Sequence, residues 1–114
     1  MDSYSPRKLK FKAWNQEAQL LMRLNNIDCV KGELLKKGHI LLQFTGLCDH
    51  QQEELYDLDV VLIGTERYVV VWNDEMNGWF LRGITNAQFA EPLRKDLAQS
   101  STRLWSYWES MKNG

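Results

Sequence analysis

Glu54-Leu55-Tyr56-Asp57-Leu58-Asp59-Val60-Val61-Leu62-Ile63-Gly64-Thr65-Glu66-Arg67-Tyr68-Val69-Val70-Val71-Trp72-Asn73-Asp74-Glu75-Met76-Asn77-Gly78-Trp79-Phe80-Leu81-Arg82-Gly83 decides the fold. It reads as three short strands joined by two tight turns. The first strand spans about Leu58 to Ile63, and Gly64-Thr65-Glu66 breaks the apolar run. The second spans about Arg67 to Trp72, with β-branched or aromatic residues throughout from Tyr68. Asn73 to Gly78 is a turn cluster ending in Asn77-Gly78, a hairpin signal because both residues tolerate positive φ. The third strand spans about Trp79 to Gly83. Strand propensity, turn chemistry and hydrophobic run agree only here.

The alternation carries a second message. Tyr68, Val70 and Trp72 share one face, and Val69 and Val71 share the other; Val60 and Leu62 oppose Val61 and Ile63 in the same way. Both faces are apolar, so both are predicted to be covered. A small closed barrel covers one face with its own interior. The C-terminal segment is the candidate cover for the other. Trp72 is expected in the core, where truncation to alanine costs about 3–5 kcal/mol.

The 114 residues suit a single domain, and 44% hydrophobic residues suffice for a packed core. A net charge of −1, from 14 basic and 15 acidic residues, argues against a strong non-specific phosphate binder. Two cysteines, Cys29 and Cys48, are too few for a disulfide scaffold and match no zinc spacing. No apolar leader and no membrane-length apolar window is present, so a cytoplasmic location is expected.

Residues 1–6 are polar and are expected to fray. In Arg7 to Trp14, Leu9, Phe11 and Ala13 alternate with Lys8, Lys10 and Lys12, the pattern of a half-buried strand with one basic face. That face reads as a solvated edge that discourages pairing with another chain, or as a stripe for nucleic acid or an acidic partner. Ala18 to Leu24 fits a return strand or a short helical turn, broken at Asn25-Asn26. Ile27 to Val30, the turn Lys31-Gly32-Glu33 and Leu34-Leu35 follow, then Lys36-Lys37-Gly38. Ile40 to Gly46 is a strand, and Leu47 to Glu54 is a polar connection.

Several of these blocks resemble one family. Lys10-Phe11-Lys12-Ala13-Trp14-Asn15 is similar to the opening of the YopX-like phage proteins. Leu42-Gln43-Phe44-Thr45-Gly46-Leu47 with Asp49, then Glu54 to Val61, then Val71-Trp72-Asn73-Asp74, resemble its later blocks in the same order. The resemblance frames residues 8–83. It implies a mainly β protein with a small SH3-like barrel, an origin in a phage, prophage or other mobile element, and no established enzymatic activity. Two positions depart from it: Leu58 and Gln52 stand where the family usually has glycine, so the turn at Leu58 is expected to lack a positive-φ residue.

Beyond residue 85 the pattern turns helical. Pro92 suits a first helical turn, with Leu93 and Leu97 four apart. Ser100-Ser101-Thr102 offers N-caps for a second helix, in which Leu104, Trp108 and Met111 form a stripe beside Trp105, closed by Asn113-Gly114. The expected organisation is one domain: an N-terminal β segment (1–38), barrel strands (39–85) and a helical tail (86–114). The tail aromatics either cover the sheet or dock on a partner.

No constellation for chemistry emerges. Cys48-Asp49-His50 is the one Cys/His neighbourhood, His39 is remote in sequence, and a metal needs three or four converging ligands. Asp57 and Asp59 read as turn residues accepting backbone N–H bonds. There is no phosphate loop or zinc-protease motif. No catalytic residue, cofactor or metal is expected. The expected role is a non-enzymatic accessory protein that binds a protein partner or itself. The alternative is nucleic-acid binding through Lys8, Lys10, Lys12 and Lys36-Lys37 with an aromatic. The candidate surface is Lys8, Lys10, Lys12, Trp79, Trp105 and Trp108, with Trp79 the ring expected to be most exposed.

Overall fold

The computed structural model describes residues 4–24 and 26–111. The extreme N-terminus, Asn25 of the Asn25-Asn26 break and the Asn113-Gly114 stop lie outside the described residues. In chain order the elements are β1 (Phe11–Asn15), β2 (Leu20–Arg23), β3 (Asp28–Val30), β4 (Glu33–Leu35), β5 (His39–Cys48), β6 (Glu54–Tyr56), β7 (Asp59–Ile63), β8 (Glu66–Asn73), β9 (Gly78–Gly83), β10 (Ala90–Pro92), α1 (Lys95–Gln99), β11 (Thr102–Ser106) and α2 (Tyr107–Ser110). The fold is mainly β and barrel-like, with a curled half-barrel sheet and a short C-terminal helix. One sheet runs β2-β1-β5-β6, the curled one β10-β9-β8-β7-β11, and β3-β4 forms a separate hairpin.

The central meander forms as its sequence dictates. β7 and β8 join through Gly64-Thr65, with φ +62° at Gly64 alone, the pattern of a type II′ hairpin. β8 and β9 join through four residues, Asp74 to Asn77; Asn77 takes φ +51°, and Gly78 already belongs to β9 opposite Asn73. Val61, Val70 and Leu81 share one face of this sheet and are buried with Leu55 from β6, Leu93 and Ala98 of α1. The C-terminal segment therefore does cover one face of the sheet, through α1.

The other face is only half covered. Val71 and Phe80 are paired on it and both are partly exposed. Trp72 is not core: it stands at the end of β8 and is 42% exposed, because alternation assigns a face but not a distance from the rim. Trp79 is the better buried of this pair and packs against the core cluster. Both expectations for these two tryptophans are reversed.

Three further differences have clear causes. Pro92 lies in β10 opposite Phe80, and the helix starts only at Lys95. Residues 102–106 form a strand rather than a helix, pairing with β7 around a bulge between Arg103 and Trp105. The Leu104/Trp108/Met111 stripe is thus split between β11 and one helical turn. That turn is capped at Ser106, whose hydroxyl accepts from the Trp108 amide while Glu109 accepts from the Ser106 amide. In β1 both faces are partly buried: on the lysine face Lys12 pairs with Leu42 and Arg23 and Trp14 is buried, and on the other Ala13 is fully buried while Leu9 is 61% exposed.

Leu58 adopts φ +65° and Gln52 φ +68°. The turn at Leu58 keeps a left-handed residue although the side chain is leucine. It is held there because the Leu58 amide donates to Val70 O and its carbonyl accepts from the Tyr107 amide, both at 2.7 Å. The β3–β4 hairpin turns on Lys31 (φ +51°) and Gly32 (φ +82°), the type I′ signature, and all six of its strand residues are exposed. The radius of gyration, 14.8 Å, exceeds the value of about 13 Å typical of 100 compact residues, as a projecting element requires.

Two substitution results are expected. Leu81→Ala destabilises by about 2–5 kcal/mol and Trp72→Ala by less than about 2, in urea unfolding; the reverse order would contradict this packing. Leu58→Gly raises stability by about 0.5–1 kcal/mol, because relief of left-handed strain exceeds the added chain entropy. A loss in the same titration would mean that the leucine side chain, not the backbone, dominates at this turn.

Candidate functional site

A concavity opens on the incompletely covered face of the curled sheet. It has a volume of about 710 Å³. Its floor is Val71 and Phe80; Trp72, whose side chain belongs to the opposite face, borders it at the sheet rim, and Asp57 and Leu58 come from the turn before β7. Its far wall is Ala87, Gln88 and Ala90, from the segment that folds back on β9. The Gly83 amide donates to Phe89 O, and Arg82 Nε donates to Ala87 O at 3.1 Å. A Cβ at Gly83 would lie 2.4 Å from the Asn86 carbonyl oxygen, so only glycine allows this close return.

Trp72 is exposed yet fixed. Its indole N–H donates to Asp74 Oδ1 at 2.8 Å, and its ring meets Trp79 edge-on with centroids 5.1 Å apart. A ring held this way loses little freedom when a partner covers it. Asp57 is the unusual polar group. Burial, then the charge of Asp59, pushes its carboxyl up to about 6, countered only by the Leu58 amide. Its neighbour Asp59 does what a turn aspartate is expected to do, accepting from the Tyr56 amide at 2.8 Å. Asp59 also meets Arg103 Nε at 3.0 Å. Burial raises its carboxyl, and Arg103 works against that rise.

The expected basic stripe is largely engaged within the chain. Lys10 pairs with Glu54 and lies over the Phe44 ring. That contact holds the Glu54 carboxyl below its ordinary value. Lys12 Nζ lies 4.5 Å from the Tyr56 ring centroid, and burial, then Arg103, lowers its pKa. The Tyr56 hydroxyl, raised to about 12 by burial and by Glu54, donates to Glu54 Oε1. Lys8 is exposed, Lys37 is exposed, and Lys36 donates to Asn26 Oδ1. A smaller cleft of about 370 Å³ lies beside Lys10, Arg23, Glu54 and Tyr56.

The tail aromatics turn inward. Trp108 stacks on the buried Trp14 with centroids 6.3 Å apart, and Trp105 receives Arg67 at 5.4 Å. Sequence reasoning therefore placed Lys10 and Lys12 together, but around Tyr56 and Glu54, and it missed Trp72, Phe80 and Asp57 as a group. The available signal was the second apolar face of β8, carrying Val69 and Val71. Cys48, Asp49 and His50 do not form a reactive cluster: Asp49 is buried on backbone donors and His50 is exposed. Among the described residues no group of three His, Cys, Asp or Glu is placed to hold a metal, and no helix is long and apolar enough to cross a membrane.

Fold and site together define a small, mainly β, barrel-like domain with an aromatic groove. No protein-family model and no curated protein matches the chain. Among solved structures it is similar to protein EF1440 from Enterococcus faecalis, with a TM-score of 0.68 and 12% identity. The match covers 93% of this chain and 97% of that one. At this identity the likeness is one of fold.

The Asp57 carboxyl, at about 6 in the fold against about 3.9 in the unfolded chain, contributes stability in full below the lower value. That contribution fades as pH rises through the higher one. In protein dilute enough to be monomeric, Asp57→Asn is therefore expected to melt above the wild type at about pH 8 and level with it at about pH 4. An equal offset at both pH values would show that Asp57 is not held in this environment.

Proposed function

We propose that this chain is a non-enzymatic accessory protein that binds a protein segment, from a partner or from another copy of itself, in the groove between Trp72, Phe80 and the segment 84–89. The observation that carries the reading is the half-covered apolar face of β8 and β9, where Val71 and Phe80 stay partly exposed, with the exposed but immobilised Trp72 of the opposite face beside it at the sheet rim. Exposed apolar concavities rimmed by polar groups serve as interaction sites more often than as unused surface.

The resemblance to the YopX-like proteins, and with it an origin in a phage or other mobile element, belongs to the same proposal. It is supported by the backbone at Leu58 and Gln52, the two positions where that family usually has glycine: both have left-handed φ. The free thiols Cys29 and Cys48 fit a reducing cytoplasm. Nucleic-acid binding is the less favoured reading, because Lys10 and Lys12 would have to leave Glu54 and Tyr56 to meet phosphates.

The test is peptide display against the folded protein. Enriched peptides are expected to lose binding to Trp72→Ala and to Phe80→Ala but to keep it with Lys8→Glu. Failure to enrich any peptide, or enrichment indifferent to both groove substitutions, would overturn the proposal.

A further inference from the structure

We infer that the β3–β4 hairpin of one copy docks in the Trp72–Phe80 groove of a second copy, with Lys31 at its tip meeting Asp57. The inference rests on the groove being a protein-binding site and names its occupant. Among the described residues two separate features lack a partner, and their chemistries match.

The first feature is the hairpin. All six of its strand residues are exposed, including the apolar Val30, Leu34 and Leu35. An isolated two-stranded hairpin is marginal in water and gains stability by packing one face on another surface. Its turn is nonetheless well specified, with Lys31 and Gly32 both left-handed. A defined turn with undersupplied packing is the property of an arm that completes its burial elsewhere.

The second feature is the groove. Its floor is apolar, and it holds one charge of each sign, Asp57 and Arg82. No cation acts on Asp57; the groups that bear on it are Asp59 and the Leu58 amide. Arg82 uses Nε on the Ala87 carbonyl and makes no ion pair among the described residues. The hairpin tip carries the complementary pair, Lys31 and Glu33, flanking Gly32 and beside Val30. Neither tip charge makes an ion pair among the described residues. Lys31 against Asp57, and Glu33 against Arg82, would fix the direction in which the hairpin enters while Val30 and Leu35 of one hairpin face cover Phe80 and Val71. Exchanged reciprocally, the contact closes into a two-fold dimer rather than a fibre.

The experiment is sedimentation velocity on the full chain, with circular dichroism to confirm that each variant is folded. The wild type is expected to sediment as a dimer. Lys31→Glu and Asp57→Asn are each expected to weaken association about fivefold or more. Lys31→Glu and Asp57→Lys, each monomeric alone, are expected to dimerise when mixed, because both contacts of the reciprocal pair are then restored. A monomeric wild type, or a dimer indifferent to Lys31→Glu and Asp57→Asn, overturns the inference. Displayed peptides that still bind at Trp72 in that case would leave the groove as a site for another protein, whereas their absence would remove both readings.

Discussion

Two buried carboxylates converge on Arg103, and the closure of the molecule depends on them. Asp49 is 1% exposed and accepts backbone N–H bonds from Gln51, Glu53 and Arg103 at 2.7–2.9 Å. Burial alone would raise its carboxyl, but these donors hold it below its ordinary value. Asp59, equally buried, faces the Arg103 guanidinium at 3.0 Å, a contact of charge rather than of an aligned hydrogen bond. Removing one partner of such a buried pair is far more damaging than its net contribution suggests. The main chain and the side chain of Arg103 thus pin the same strand at two points, one on the β5–β6 connection and one on β7.

That pinning explains why the tail is a strand. Leu104, Trp108 and Met111 fit a helical stripe, and nothing local forbids it. What decides is tertiary: β7 has a free edge, and Arg103 has two carboxylates to meet. The bulge between Arg103 and Trp105 lets Arg103 face Asp59 while Trp105 reaches Arg67 on the other side. The sequence did contain one usable sign, Ser106-Tyr107-Trp108-Glu109, a capping box that places the helix start four residues beyond Thr102. By contrast, β7 to β9 were legible throughout, because hydrophobic run, turn residues and strand propensity pointed the same way there.

The half-covered face of the curled sheet was not legible in position. Two apolar faces on β8 demanded two covers, and α1 supplies one. The barrel interior read from the sequence as the other cover does not close over Val71 and Phe80, and the groove is the result. Which tryptophan stands at its mouth could not be read, since Trp72 and Trp79 are directly paired and differ only in what lies beyond the sheet rim. The lysines of β1 show the converse. Their alternation was read correctly, yet the ammonium groups of Lys10 and Lys12 lie over the rings of Phe44 and Tyr56, and that of Lys10 also meets Glu54. A charge pattern alone does not distinguish that arrangement from a binding stripe.

Locked by Asp49 and paired along β7, β11 belongs to the cooperative unit rather than forming a loose appendage. Native-state hydrogen exchange at the Arg103 amide tests this most directly. The predicted result is exchange as slow as at the amides of Val70 and Leu81 in the core, through global unfolding alone. Fast exchange at Arg103 while Val70 and Leu81 stay protected would contradict it, and the tail would then have to be regarded as an independent, separately opening segment.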